Sequence, residues 1–275
     1  MLVRIEGAGL AGQVLHRELT RRGVDSFLTD TLSFPRPKVC GGVLQWDSWE
    51  YLKTLFHLPE PRFVRTVSHF WKGTRISRMV LKEPMASISR FELDATLNGQ
   101  QIQKQVPGEE CLRVAASGIR GQGEWIGFQC PAPSVEDLQM HYGQGLYAGI
   151  APTLEGEGHA ALVVQKKRFR NAHDLPALIQ KELKLCLAGP FKGTKGIDYS
   201  FSDGTALAVG DAKLTTHPFL GLGMKHAILS ARLLAACIVE KRIEEYPALH
   251  RLFFRKFRLA NRLAGGLYDS GFSLL

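Results

Sequence analysis

A short apolar run that leads into Gly7-Ala8-Gly9-Leu10-Ala11-Gly12 and out into a helix constrains this chain more than any other feature. Leu2-Val3-Arg4-Ile5 reads as a strand, and Gln13 to Arg22 has helical spacing closed by Gly23. In that setting each glycine has its own reason. Gly7 permits the tight turn, Gly9 lets backbone approach a pyrophosphate, and Gly12 packs helix against strand, while Leu10 and Ala11 carry the helix N-terminus that faces the phosphates. A glycine turn without a ligand is the alternative. Val24 to Thr29 is extended again, and Asp30, eighteen residues past Gly12, stands where a carboxylate accepts hydrogen bonds from an adenosine ribose and repels a 2′-phosphate.

The rest of the chain alternates helix and strand signals. Helical spacing predicts helices over Asp47 to His57, Ser89 to Lys104 and Asp174 to Leu187, a long apolar one from Gly223 to Arg242, and a single tail helix from Pro247 to Ala264. Arg62 to Leu81 reads as a hairpin turning at Lys72-Gly73-Thr74. Cys111 to Ala116 and Thr205 to Val209 read as strands, as do short runs between Gly and Pro breakers from Glu124 to Val164. This pattern predicts an α/β fold: a Rossmann-like nucleotide-binding domain interrupted by a mostly antiparallel β-sheet substrate domain. The expected nucleotide-binding parts are residues 1–60, 88–122 and 192–275, the last with the C-terminal helices; the substrate domain is 61–87 and 123–191.

A second glycine-rich constellation follows the predicted strand at 205–209. Gly210-Asp211 ends that strand, and Pro218-Phe219-Leu220-Gly221-Leu222-Gly223-Met224 opens the long helix. This segment resembles the C-terminal FAD motif of the geranylgeranyl reductase and aromatic hydroxylase superfamily, the group of p-hydroxybenzoate hydroxylase-like flavoproteins. The resemblance implies that Asp211 binds the ribityl chain and that the backbone amides of the turn face N1 and the C2 carbonyl of the flavin. Reduced flavin is negative near N1, where a helix N-terminus is favourable. Two further segments are similar to the reductase branch: Arg36, Lys38, Cys40, Gly41 and Gly42 stand in a Lys-x-Cys-Gly-Gly loop beside the isoalloxazine ring, and Leu146 to Pro152, with Tyr147, matches the strand framing the substrate cavity. Arg90, Asp94 and Leu97 match an Arg-x-x-x-Asp-x-x-Leu helix between the lobes.

Departures from that pattern shape the functional expectation. Ala115-Ala116-Ser117-Gly118 replaces a Gly-Ala-Asp-Gly stretch that in hydroxylases of the superfamily also serves nicotinamide-dependent flavin reduction. An electron-donor protein is therefore expected to act better than NAD(P)H. Ala212-Lys213 replaces the usual alanine-glycine after the Gly-Asp pair, altering the phosphate side. Three residues are candidates for chemistry: Cys40 as a reactive thiol, Tyr147 as a proton donor and His217 as a proton relay, each set against inert packing. Arg36 and Lys38 hold phosphate or reduced flavin, or are solvated loop charges.

Composition excludes several classes. The five cysteines are scattered without a paired C-x-x-C ligand set, so neither a disulfide framework nor a metal site is expected, and a reducing cytoplasm is the expected compartment. The longest apolar stretch near the end, Ala227 to Val239, is interrupted by Arg232 and is too short to span a bilayer. A net charge of +9 comes with no nucleic-acid-binding motif, and no nucleic-acid partner is expected. The tail from Arg251 to Arg262 carries Arg251, Arg255, Lys256, Arg258 and Arg262 with no acid, a composition that suits peripheral contact with an anionic membrane as well as docking on the protein itself. The leading expectation is an FAD-dependent reductase of carbon–carbon double bonds in an apolar, prenyl- or polyketide-like small molecule. A flavin-dependent monooxygenase is the alternative, and a catalytically inert FAD-binding homologue is the second.

Overall fold

A computed structural model describes residues 1–36, 38–97, 110–118, 123–154, 156–187, 189–197 and 207–269. Strands β1 (Leu2–Glu6), β2 (Ser26–Thr29) and β6 (Cys111–Ala115) form a parallel sheet in the order β2-β1-β6. Its ladder extends past β6: Ala115 N–H donates to Leu207 O at 3.0 Å, and Val209 N–H donates to Ala115 O at 2.9 Å. Of the predicted strand at 205–209, residues 205 and 206 lie outside the described residues, and the rest forms this single bridge at Ala208.

Helix α1 (Leu10–Arg21) follows β1 and begins three residues earlier than its spacing predicts. Gly9, in an extended conformation with φ −72° and ψ −177°, is the cap. Val14, Leu15 and Leu19 are completely buried, as are Ala231, Leu234 and Ala235 of α5 (Gly223–Val239), so the two helices and β1 share one core. Truncating one such leucine to alanine costs about 2–5 kcal/mol.

The second sheet has eight strands in the order β11-β7-β10-β9-β8-β4-β5-β3. Its members are β3 (Val43–Gln45), β4 (Arg62–Trp71), β5 (Thr74–Ser87), β7 (Trp125–Ala132), β8 (Leu138–Gly143), β9 (Leu146–Pro152), β10 (Gly158–Gln165) and β11 (Lys192–Ile197). Every pairing is antiparallel except β4 with β8, which matches the mostly antiparallel lobe read from the sequence. The β4–β5 hairpin turns at Lys72-Gly73 as expected, but β5 runs on to Ser87, where β3 pairs with it. Phe128, Leu146, Ala148, Ile150, Leu162 and Val164 pack against Leu175, Ile179 and Leu183 of α4 (Leu175–Leu183). That face is closed, and Leu138, Tyr147, Ala151 and Val163, which line a cleft, stand on the opposite one.

The remaining helices also differ from their predicted spans: α4 covers Leu175–Leu183 rather than Asp174 to Leu187, and α5 stops at Val239 rather than Arg242. The helix expected from Asp47 to His57 is α2 (Trp46–Lys53), which opens on Trp46 directly after β3. The helix at Ser89 to Lys104 is described as α3 (Arg90–Leu97), and residues 98–104 lie outside the described residues. The single tail helix is two, α6 (Tyr246–Phe253) and α7 (Arg255–Asp269), broken at Phe254. The break lets the buried Phe254 ring turn into His226 and His250, at centroid distances of 4.6 and 4.5 Å.

Candidate functional site

The parallel strands all run out at one end of their sheet, into Gly7, Ala116 and Gly210, and a cleft of about 480 Å³ opens there between that edge and the large sheet. Crevices at the carboxyl ends of parallel strands are where open α/β sheets take ligands. Gly7 has a φ of +126°, and a Cβ there would meet Ala116 O at 2.3 Å; at Gly12 a Cβ would meet Gly7 O at 1.9 Å. Both positions admit only glycine. Gly9 differs, since the nearest atom to a Cβ there is a guanidinium nitrogen of Arg36 at 3.9 Å, and the position lines the cleft. The backbone at Gly9 is therefore open to the cleft.

Asp30 follows β2 beside this turn. Its Oδ2 accepts from Ala8 N–H at 2.8 Å and its Oδ1 accepts from Leu32 N–H at 2.9 Å, which fixes the carboxylate against the 7–12 turn, behind the residues that line the cleft. Arg36 lies over the Phe34 ring at 4.9 Å, with a terminal guanidinium nitrogen nearest to Gly9 and its Nε buried without a hydrogen-bond partner among the described residues. Lys38 Nζ stands 3.9 Å from Asp211 Oδ2, so the cysteine loop and the Gly210-Asp211 turn face each other across the cleft.

The cysteine loop is held from two sides. His159 Nε2 donates to Cys40 O at 2.9 Å, and Ile88 N–H donates to Gly42 O at 2.8 Å. Gly42 has a φ of +65°, and a Cβ on it would meet Ile88 O at 2.4 Å. Lys38, Cys40, Gly41 and Gly42 all line the cleft. Beneath them Arg90 is buried and donates to Asp94 at 2.5 Å. Burial opposes the Arg90 charge, but Asp94, then Cys40 and Asp211, more than restore it, so the guanidinium stays charged.

Gly210 N–H donates to Ser230 Oγ at 2.9 Å, and Gly210, Asp211, Pro218, Gly221, Gly223 and Met224 line the opposite wall. Neither α1 nor α5 has a side-chain cap or an acidic residue in its first turn. Both helix N-termini open on the same cleft, and each contributes roughly half a positive charge.

Three candidates sit differently from their expected roles. His217 does not line the cleft: it is 1% exposed, its ring packs on Phe219 at 4.8 Å and near Trp125 at 6.3 Å, and burial lowers its pKa to about 4. Leu222 is the cap residue of α5 and also lies behind the lining. Tyr147 does line the cleft, but its hydroxyl donates to Met140 Sδ at 3.3 Å, and burial, then Tyr142, pushes its pKa far above the phenol range.

Sequence reasoning missed His69. It lines the cleft, its Nδ1 shares a 2.9 Å hydrogen bond with Tyr142 Oη, and its ring stacks on the Tyr142 ring at 5.9 Å and 3°. Burial lowers the His69 pKa, so neutral imidazole prevails at neutral pH. The signal was alternation: Val67 and His69 on β4, Met79 and Leu81 on β5, and Leu138 and Met140 on β8 each share a strand face by period two.

No protein-family model matches the sequence. Half of the chain is 25% identical over 150 residues to the tRNA 5-methylaminomethyl-2-thiouridine biosynthesis bifunctional protein MnmC of Marinobacter nauticus; the match spans 24% of that protein's length. The fold is shared far more widely. Over 97% of this chain and 96% of that one, it superimposes at a TM-score of 0.73 and 14% identity on PqsL of P. aeruginosa in complex with 2-aminobenzoylacetate. A single-substitution variant of HpxO of Klebsiella pneumoniae complexed with FAD is similar at a TM-score of 0.70 and 14% identity over 98% of this chain and 94% of that one. A geranylgeranyl bacteriochlorophyll reductase-like protein of Thermoplasma acidophilum is similar at 0.73 and 16% over 97% and 87%. The chain has the α/β fold of these flavoenzymes.

Proposed function

We propose that the cleft binds FAD and that the chain is an FAD-dependent oxidoreductase of an apolar small molecule. The observation that carries this reading is the convergence of two uncapped helix N-termini, at Gly9 and at Gly223, on one cleft. A pyrophosphate suits the first, and the negative charge of a reduced flavin suits the second. Gly9, Leu10 and Ala11 would hold the pyrophosphate with Arg36, whose guanidinium lies alongside, and Asp30 the adenosine ribose. Asp211 would hold the ribityl chain, with Cys40, Gly41, Gly42 and Arg90 beside the ring. Residues 1–60, 88–122 and 192–275 make the FAD-binding domain, and 61–87 with 123–191 the substrate domain, to whose sheet β3 and β11 add edge strands.

FAD, when bound, supplies a ring that accepts and returns electrons. The chain supplies orientation, an apolar wall and proton-bearing side chains. Val67, Met79, Leu81, Leu138 and Met140 give that wall, which suits an apolar substrate. His69, neutral and bonded to Tyr142, is the cleft's proton-handling group; Tyr147, with its strongly raised pKa, keeps its proton and shapes the wall. Cys40 faces the same space.

Reduction of a carbon–carbon double bond is the leading reaction, supported by the Lys38 to Gly42 loop on the cleft wall. Oxygenation is the second reading, favoured by the shared fold with PqsL, whose crystal structure is described as that of a probable FAD-dependent monooxygenase. Ser117-Gly118 in place of Asp-Gly favours a protein electron donor over NADPH. Dithionite-reduced protein mixed with prenyl and aromatic compounds, first anaerobically and then with oxygen admitted, separates the readings. Reoxidation by a prenyl double bond supports reduction, whereas oxygen uptake coupled to substrate supports oxygenation. Protein that stays colourless and refuses added FAD overturns both.

A further inference from the structure

The most exposed apolar side chains near the C-terminus lie on one stretch of two consecutive helices. Leu252, Phe253, Leu259 and Leu263 are 57–68% exposed, although α6 and α7 bury His250, Phe254, Asn261 and Ala264 against the body. Exposed bases flank them: Arg251, Arg255, Lys256 and Arg262, with no acid anywhere from Arg251 to Arg262. Within α7 the exposed positions 255, 256, 259, 262 and 263 recur at three- and four-residue steps, so they form one face.

We infer that this face is a docking surface for an anionic lipid bilayer. Charge decides the occupant. A second copy of the chain would bring the same bases against themselves, whereas anionic headgroups neutralise the arginines while the leucines and Phe253 enter the acyl boundary. Among the described residues no helix is long and apolar enough to cross a membrane, so α6 and α7 lie in the interface plane.

The opposite face of α7 is built into the cleft wall. Asn261 Oδ1 accepts from His217 N–H at 2.8 Å, and Asn261 Nδ2 donates to Thr215 O at 2.8 Å; Thr215 lines the cleft. Docking therefore brings that wall within one helix diameter, about 10 Å, of the headgroups. An apolar substrate dissolved in the bilayer is then held close to the site. The docking surface stands on exposure and charge and is independent of whether FAD binds; only the delivery of substrate rests on the proposed function.

Co-sedimentation of the full chain with vesicles tests the inference. Vesicles of equal parts phosphatidylcholine and phosphatidylglycerol should bind the protein, phosphatidylcholine alone should not, and added salt should release it. Arg255→Glu with Lys256→Glu, and separately Leu259→Ser with Leu263→Ser, should each weaken binding by about tenfold or more while leaving the melting temperature unchanged. Equal binding to both vesicle types, no binding to either, or binding indifferent to both double variants would overturn it. So would a parent that sediments as an oligomer and is made monomeric by Leu259→Ser with Leu263→Ser, since the face would then join two copies. An acidic protein partner in place of lipid would show as no binding to either vesicle.

Discussion

Gly210 and Ala11 lie so close that a Cβ added to Gly210 would sit 2.8 Å from the Cβ of Ala11. The two glycine turns of the cleft, nearly two hundred residues apart in sequence, are thereby pressed together behind it. Gly210 also has a φ of +61°, where side chains are strained. Gly210→Ala should then cost about 2–5 kcal/mol from backbone strain and overpacking together. Urea denaturation measures this, and a midpoint equal to the parent's would show that the contact relaxes freely.

Asp211 should behave in the opposite way. Its carboxylate is partly exposed, and its ion pair with Lys38 is long at 3.9 Å, so it adds little to stability. Asp211→Ala should leave the urea midpoint within error yet weaken FAD binding by about 1.5–3 kcal/mol, roughly 10- to 150-fold. Flavin fluorescence titration reads the affinity, and an unchanged dissociation constant would remove Asp211 from the site.

A third expectation concerns acid. His226 and His250 are completely buried and share a 3.1 Å Nε2···Nε2 hydrogen bond. Burial, with His250 acting on the first and Lys213 and Arg258 on the second, lowers both pKa values to about 3. The unfolded chain takes up these protons near pH 6.5 and the folded pair does not, so the stabilisation is fully present above pH 6.5 and is lost as pH falls toward 3. Each histidine contributes a slope of up to about 1.4 kcal/mol per pH unit in that window. Replacing both, His226→Leu with His250→Leu, should flatten the acid slope while His141 and His217, with pKa values lowered to about 4, retain part of it. Identical slopes in parent and variant would contradict the assignment.

The glycine turns were legible in the sequence because part of what each glycine answers is local: a positive φ at Gly7 and Gly210, and at Gly12 the carbonyl oxygen of Gly7, which a Cβ would meet at 1.9 Å. The large sheet was legible in its antiparallel character but not in its order. β3 is three residues long, and β11 pairs with β7 across some sixty residues of chain, so neither carries a periodicity of its own. His69 was passed over because its role depends on Tyr142, on a strand seventy residues later. His217 read as a relay from its place beside the flavin-like turn, yet its ring points into packing with Trp125 and Phe219. The tail read as one helix because nothing in its spacing reveals that Phe254 turns inward onto His226 and His250.

FAD titration of the parent beside Gly9→Val tests the central claim most directly. Gly9 has an ordinary extended backbone and open space where its Cβ would go, so a valine there leaves the fold intact while filling the approach to the turn. The account predicts that the parent takes up FAD and that Gly9→Val, with an unchanged melting temperature in the absence of FAD, does not. A parent that binds no FAD, or a Gly9→Val protein that binds it as tightly as the parent, would contradict it.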